Sequence, residues 1–415
     1  MSITQKERSR LRDLAKQQLE IAHSPKMEQI VRDWKKHGRF DADSRPMITI
    51  ELGTFRQDIL PPLMECESEE AQAIEKLLLS NIVNHTLFCD DTVVNDYIGF
   101  SYGGYFQPFN LPVEIEHASS DGGSLGHHFV EQIHDLEQDF HKLQKSDYGI
   151  VNKREVDAKM AYYNDLLGDI LPAKIKGSAL YASGTQSIVH IMSMETMYMS
   201  MYDYPELFHQ MMNQLADDYI AYFQLLEQED CLRSTVAEER VAQGSYCFTD
   251  QLPKDKEHYT LKDVWGYIDS QETSGLSPDM YHEFIFPYYK KITDLYGRLS
   301  YGCCEAVDPI WEKNLRHMKN MGRVSISPWC NEDYMGEQLR GQKIVYLRKP
   351  TPNLIGVGAS LDEEAVRQHF QKTVRSAQGC TLEIVQRDVY QIHSDYHKVR
   401  RYVELIRECC AEHRK

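Results

Sequence analysis

From residue 46 onward the chain alternates short apolar runs of strand length with stretches of helical period. That alternation constrains the fold more than any other feature. Parallel strands cannot be joined by tight turns; they need long crossovers, usually helices. The strand candidates are residues 46–52, 92–94, 179–182, 234–239, 264–268, 323–327, 343–347 and 381–388. Another ends in Ser300-Tyr301-Gly302-Cys303-Cys304-Glu305. About eight strands in this order predict an α/β fold, a (β/α)8 TIM barrel. The alternative is an open doubly wound sheet, but no glycine-rich phosphate loop opens a helix here.

Helix starts are marked. Tyr204-Pro205-Glu206 puts proline where the first turn has no hydrogen bond to lose. Leu207, Met211, Leu215, Tyr219, Phe223 and Leu226 then recur on one face. Ser277-Pro278-Asp279 combines a capping hydroxyl, a preset φ and an acid in the positive first turn. Residues 5–40 read as one or two charged helices. The expected division is an N-terminal helical extension, 1–45, and a barrel, 46–415.

The formal charge is −17 over 415 residues, with no basic stripe, which argues against nucleic acid as a partner. No run of about 18 apolar residues argues for a membrane, and no segment has signal-peptide form, so a cytoplasmic protein is expected. Ten cysteines without regular spacing predict reduced thiols rather than a disulfide framework.

In a barrel the C-terminal ends of the strands converge on one mouth, where catalytic groups sit. The polar strand ends are Glu51, Asp90, Asp91, Tyr181, Glu238, Glu239, Gln271, Glu272, Cys303, Cys304, Glu305, Ser327, Trp329, Lys349 and Asp388. A rim so rich in carboxylates repels itself unless a cation or held protons offset it. Thiolates and carboxylates are also ligands for zinc-like ions. The competing reading of Cys303 and Cys304 is a pair of small buried core residues. His127 and His128, in a Gly-rich loop, and His393 are weaker ligand candidates. Trp329 and the aromatic stretch 97–109 suit either an apolar pocket wall or core packing.

Several stretches together resemble the uroporphyrinogen decarboxylase superfamily, and its cobamide-dependent methyltransferase branch most closely. They are Tyr202-Asp-Tyr-Pro-Glu206, Ser277-Pro-Asp-Met280, Glu283-Phe-Ile-Phe-Pro287, Tyr301-Gly-Cys-Cys-Glu305, Ser325-Ile-Ser-Pro-Trp329 and Leu382-Glu-Ile-Val-Gln-Arg-Asp388. The resemblance spans roughly residues 46–410 and implies a TIM barrel.

Within that resemblance, the decarboxylases use an Arg-Gln-Ala-Gly-Arg loop; here Phe55-Arg56-Gln57-Asp58 keeps only Arg-Gln. The methyltransferases hold zinc through a His-x-Cys pair and a later Cys. Here Tyr301 or Gly302 takes the His place, and Arg387-Asp388 stands where the last Cys belongs. The implied activity is transfer of a methyl group from a methoxylated aromatic, methanol or methylamine to the cobalt of a corrinoid protein. Metal-free decarboxylation with Asp90 or Asp91 is the alternative, and tight pigment binding without turnover a third.

On this reading Glu272, Glu305 and Asp388 are the catalytic candidates. Cys303, Cys304, Glu305 and Asp388 are the candidate zinc ligands. Asp91, Tyr181, Gln271, Trp329 and Lys349 are the candidate substrate contacts. The expected partners are a small-molecule methyl donor, a corrinoid protein and a second copy of the chain.

Overall fold

The computed structural model describes residues 3–117 and 127–412. Seven short strands build one sheet: β1 (Met47–Ile50), β2 (Leu180–Ala182), β3 (Trp265–Ile268), β4 (Arg298–Tyr301), β5 (Met321–Ile326), β6 (Val345–Arg348) and β7 (Thr381–Gln386). Their spatial order is β1-β7-β6-β5-β4-β3-β2, and every neighbouring pair is parallel. The strands are buried almost throughout, as expected of a parallel sheet covered on its outer face by helices. The chain is thus α/β and TIM-barrel-like, but among the described residues no ladder joins β1 to β2.

The expected strands at 92–94 and 234–239 do not form. Beside β1, two aspartates do the work of a ladder. Asp91 N donates to Ile48 O at 2.8 Å, and its Oδ2 accepts from Ile48 N at 2.8 Å. Asp90 Oδ2 accepts from Ile50 N at 2.7 Å. Side-chain carboxylates can satisfy strand amides in this way, and they displace the regular register.

The open seam is filled by a hairpin, Arg240–Ala242 paired with Ser245–Tyr246, whose tip enters the ring. Tyr246 Oη accepts from Val93 N at 2.9 Å, and Gly244 O accepts from Thr49 Oγ1 at 3.2 Å. Gly244 has φ +82, and a Cβ there would stand 2.8 Å from Val385 Cγ1. Only glycine meets both demands without strain. Inside the ring, Arg323 on β5 pairs with Glu383 on β7 at 3.0 Å and donates to Tyr246 O at 2.7 Å. Glu383 also accepts from Ser245 Oγ at 2.5 Å. The interior is a polar network around the hairpin tip whose hydrogen bonds offset the burial of the ion pair, although Arg323 Nη1 has no partner among the described residues.

The N-terminal helices, α1 (Gln5–Ala22) and α2 (Pro25–Arg39), pack onto this frame. Trp34 of α2 is fully buried against Tyr246 and Phe248, and its indole donates to Asp91 O at 2.8 Å. α3 (Pro205–Gln228) starts at its proline and buries Met211, Leu215, Tyr219 and Phe223. Part of the aromatic stretch after residue 97 is regular: Gly104–Gln107 pairs with Asp147–Ile150. His127 and His128 lie on a short strand, His127–Phe129, paired with Ile115–His117. The Gly-rich stretch before them, 121–126, lies outside the described residues. Among the described residues no helix is long and apolar enough to cross a membrane.

Candidate active site

β4 stops at Tyr301, and Gly302, at φ +94, turns the chain. Three groups hold that turn. Glu305 accepts from Cys303 N at 2.8 Å and from Ser270 N, beyond β3, at 2.9 Å. Ser325 Oγ donates to Cys303 O at 2.8 Å. Lys349, just past β6, donates to Gly302 O at 3.1 Å and Cys303 O at 3.3 Å, and it also binds Gln243 of the hairpin. The turn therefore places Cys303 and Cys304 side by side, with their sulfurs 3.4 Å apart.

β7 supplies the opposing charge. Arg387 Nη1 lies 2.9 Å from Cys303 Sγ, its Nε 2.9 Å from Glu51 Oε2, and its Nη2 3.2 Å from Asp388 Oδ1. Asp388, at φ +58, turns back so that its Oδ2 comes 3.7 Å from Cys304 Sγ. The Cys304 thiol donating to Cys303, helped by Lys349 and Arg387, pulls Cys303 down to about 6 against its burial. The thiolate beside it pushes Cys304 strongly up, so the pair shares one proton. Burial drives Lys349 down, and it stays fully enclosed.

A second group of acids adjoins the thiols. Asp269 follows β3 directly, and its Oδ2 accepts from Tyr267 Oη at 2.7 Å. Its Oδ1 is buried and has no partner. Burial, then Glu305 and Cys303, raise its carboxyl to about 8. Glu272 accepts from Thr185 Oγ1 at 2.7 Å and is raised by burial. Both acids keep protons to higher pH than an exposed carboxylate does. This is one of the two ways a crowded acidic rim can be neutralised.

Tyr181 stacks on Tyr267, with ring centroids 4.9 Å apart, and is 46% exposed. It lines a cavity of about 300 Å³ together with Phe106, Leu111, Ser183, His190 and Tyr219. On its other side it borders a cleft of about 440 Å³ along the seam, shared with Arg240 and Gln243.

The structure brings Cys303, Cys304, Glu305, Asp388, Glu272, Lys349 and Tyr181 to one end of the ring. It does not make four ligands of the first four. Glu305 spends both oxygens on backbone amides, and Cys303 faces a guanidinium rather than open space. Among the described residues no group of three or more His, Cys, Asp or Glu is arranged to hold a metal ion. The donors do not fit zinc: a dication would sit against Arg387 and Lys349, which already neutralise the sulfur. Asp91 is locked between Arg45 and Arg407, both at 2.9 Å, and accepts from the amide of Ile48 on β1. Gln271 is half-buried, and its side chain hydrogen-bonds Glu272. Trp329 is 76% exposed on the rim after β5. His393 lies on an exposed stretch beyond Asp388.

Sequence reasoning missed Asp269, Arg387 and the hairpin. Asp269 carried a usable signal, since it is the first polar residue after a fully apolar strand. Arg387 carried less, because arginine at a strand end is ordinarily solvated.

The fold and site together define an α/β, TIM-barrel-like protein with a thiolate–guanidinium pair and proton-holding acids at one end of its strands. No family model matches the sequence, and no curated protein matches it. Among solved structures, a methyltransferase from Methanosarcina mazei aligns with a TM-score of 0.51 at 11% identity, covering 93% of this chain and 99% of that one. At that identity the likeness shows a shared fold.

Proposed function

We propose that this chain is a methyltransferase of the uroporphyrinogen decarboxylase-like kind. It moves a methyl group from a small methylated aromatic substrate to the cobalt of a corrinoid protein. The observation that carries this reading is Asp269, a buried carboxyl that keeps its proton to about 8 beside the strand-end thiols. An ether or amine leaves poorly, and a positioned acid is what the departing oxygen or nitrogen requires. The shared fold with a methyltransferase supports the reaction class. The ring-lined cavity at Tyr181 favours an aromatic donor over methanol or methylamine.

In this reading the ring of the donor lies against Tyr181 and Phe106, which orient it. Asp269 gives its proton to the leaving atom as the bond to the methyl carbon breaks. Arg387 and Lys349 hold the nearby sulfur as an anion, which keeps Asp269 protonated. The methyl acceptor approaches from the rim, past Trp329. No step passes through zinc.

The test is methyl transfer from a panel of methoxyarenes to reduced cobalamin, followed by the cobalt absorbance. Transfer that is lost in Asp269→Asn supports the reading. No transfer from any donor, together with carbon dioxide release from a porphyrinogen, replaces it with decarboxylation.

A further inference from the structure

We propose that Cys303 and Cys304 form an oxidation site, which a peroxide closes reversibly to a disulfide between the two neighbouring residues. The proposal stands on the geometry of the two sulfurs and is independent of which group the enzyme transfers.

Adjacent residues normally direct their side chains apart. Cys409 and Cys410 do so, because they occupy consecutive positions of the helix Tyr396–Glu412. Cys303 and Cys304 do not. The Gly302 turn, pinned by Glu305, Ser325 and Lys349, brings their sulfurs within 3.4 Å. Neither Cys303 nor Cys304 is in a disulfide. Cys303 has a guanidinium nitrogen, that of Arg387, at 2.9 Å from its sulfur. Cys304 is half-buried and so reachable from the mouth. Asp388 Oδ2, at 3.7 Å from the Cys304 sulfur, is placed to take its proton.

The chemistry balances with a peroxide as oxidant. The Cys303 thiolate attacks one peroxide oxygen, the O–O bond breaks, and the departing oxygen leaves as water or an alcohol after taking a proton from solvent. Cys303 is then a sulfenic acid. Cys304 passes its proton to Asp388, and its sulfur attacks Cys303. The S–S bond forms, the S–O bond breaks, and the leaving hydroxide recovers that proton as water. Two thiols are oxidised and one peroxide is reduced. The product no longer offers Arg387 an anionic sulfur, so the site's charge balance changes with its redox state.

The test uses the full chain, hydrogen peroxide in small excess, alkylation and tryptic digestion. The peptide 299–313 contains Cys303 and Cys304 and no other cysteine. It should lose two hydrogens, resist alkylation and recover both thiols with dithiothreitol. The peptide 408–414, which carries Cys409 and Cys410, should stay alkylated. In Cys304→Ser, a dimedone adduct should appear at Cys303; in Cys303→Ser, neither adduct nor disulfide should form. Two free thiols in 299–313 while other cysteines oxidise would overturn the proposal. Sulfinic acid at Cys303 forming as fast in the native chain as in Cys304→Ser would overturn it as well. Neither result bears on methyl transfer, which is measured separately.

Discussion

Arg387 Nη1 stands 2.9 Å from the sulfur of Cys303 while its Nε binds Glu51, so one guanidinium joins the end of β7 to β1 and to the turn after β4. A half-buried arginine with an acid and a thiol on its two edges is both a clamp and an electrostatic device.

Replacing Arg387 with Met should show the second role. Cys303 titrates at about 6 rather than its ordinary 9.0, so its alkylation rate should rise as pH passes about 6. In Arg387→Met that midpoint should move upward, with partial return in Arg387→Lys. The stability sign follows. A depressed thiol adds stability that is complete above 9.0 and lost as pH falls through about 6. Urea midpoints across that window should slope less in the variant.

Asp269 has the opposite sign. Its carboxyl is raised from 3.8 to about 8, so the folded state holds a proton that the unfolded state releases. Stability should fall as pH rises between those values, and Asp269→Asn should remove the slope. At about 1.4 kcal/mol per pH unit for one proton, the effect is several kcal/mol in order of magnitude. Activity should decline above about 8, and Asp269→Asn should lower kcat by roughly 10²–10⁴-fold.

Glu305 is expected to behave as a structural carboxylate. Glu305→Ala leaves the amides of Ser270 and Cys303 buried and unpaired. The cost should be about 2–4 kcal/mol by urea denaturation. A metal-ligand role predicts instead a loss of bound metal with little change in stability.

Asp91→Ala should destabilise by about 3–5 kcal/mol, because it abandons Arg45, Arg407 and the amide of Ile48 together. The kcat of the folded fraction should not change, since Asp91 lies apart from the thiols. A tenfold loss of kcat at unchanged stability would restore it to the substrate site.

Gly244→Val should cost about 1–3 kcal/mol, from the positive φ and the collision with Val385. The thermal midpoint measures it, and a variant of native stability would mean the hairpin tip is not seated in the ring.

The parallel architecture was legible because short runs rich in apolar residues, β3 the clearest of them, alternate with stretches of helical period. Residues 92–94 carried the same signal, yet Asp90 and Asp91 took the amides that a strand would have used. That substitution is invisible to pattern, since it depends on what lies across the gap. Residues 234–239 failed for a related reason: Glu239 and Val236 carbonyls accept from Cys247 and Thr249, so the segment folds on its own hairpin instead of joining a sheet. At the mouth, the thiols and Asp388 were readable as strand-end residues. Their arrangement was not, because the turn of Gly302 and the reach of Arg387 are set by three dimensions and not by spacing.

The wedge at Gly244 touches Thr49 near one terminus and Val385 near the other, while its neighbour Gln243 binds the lysine that shapes the thiol turn. A nascent polypeptide emerging from the ribosome therefore lacks half of this keystone's seat until its final strand is synthesised. Chains cut short before that point should present the two thiols unarranged, which makes their joint reactivity a marker that β7 has been made and seated.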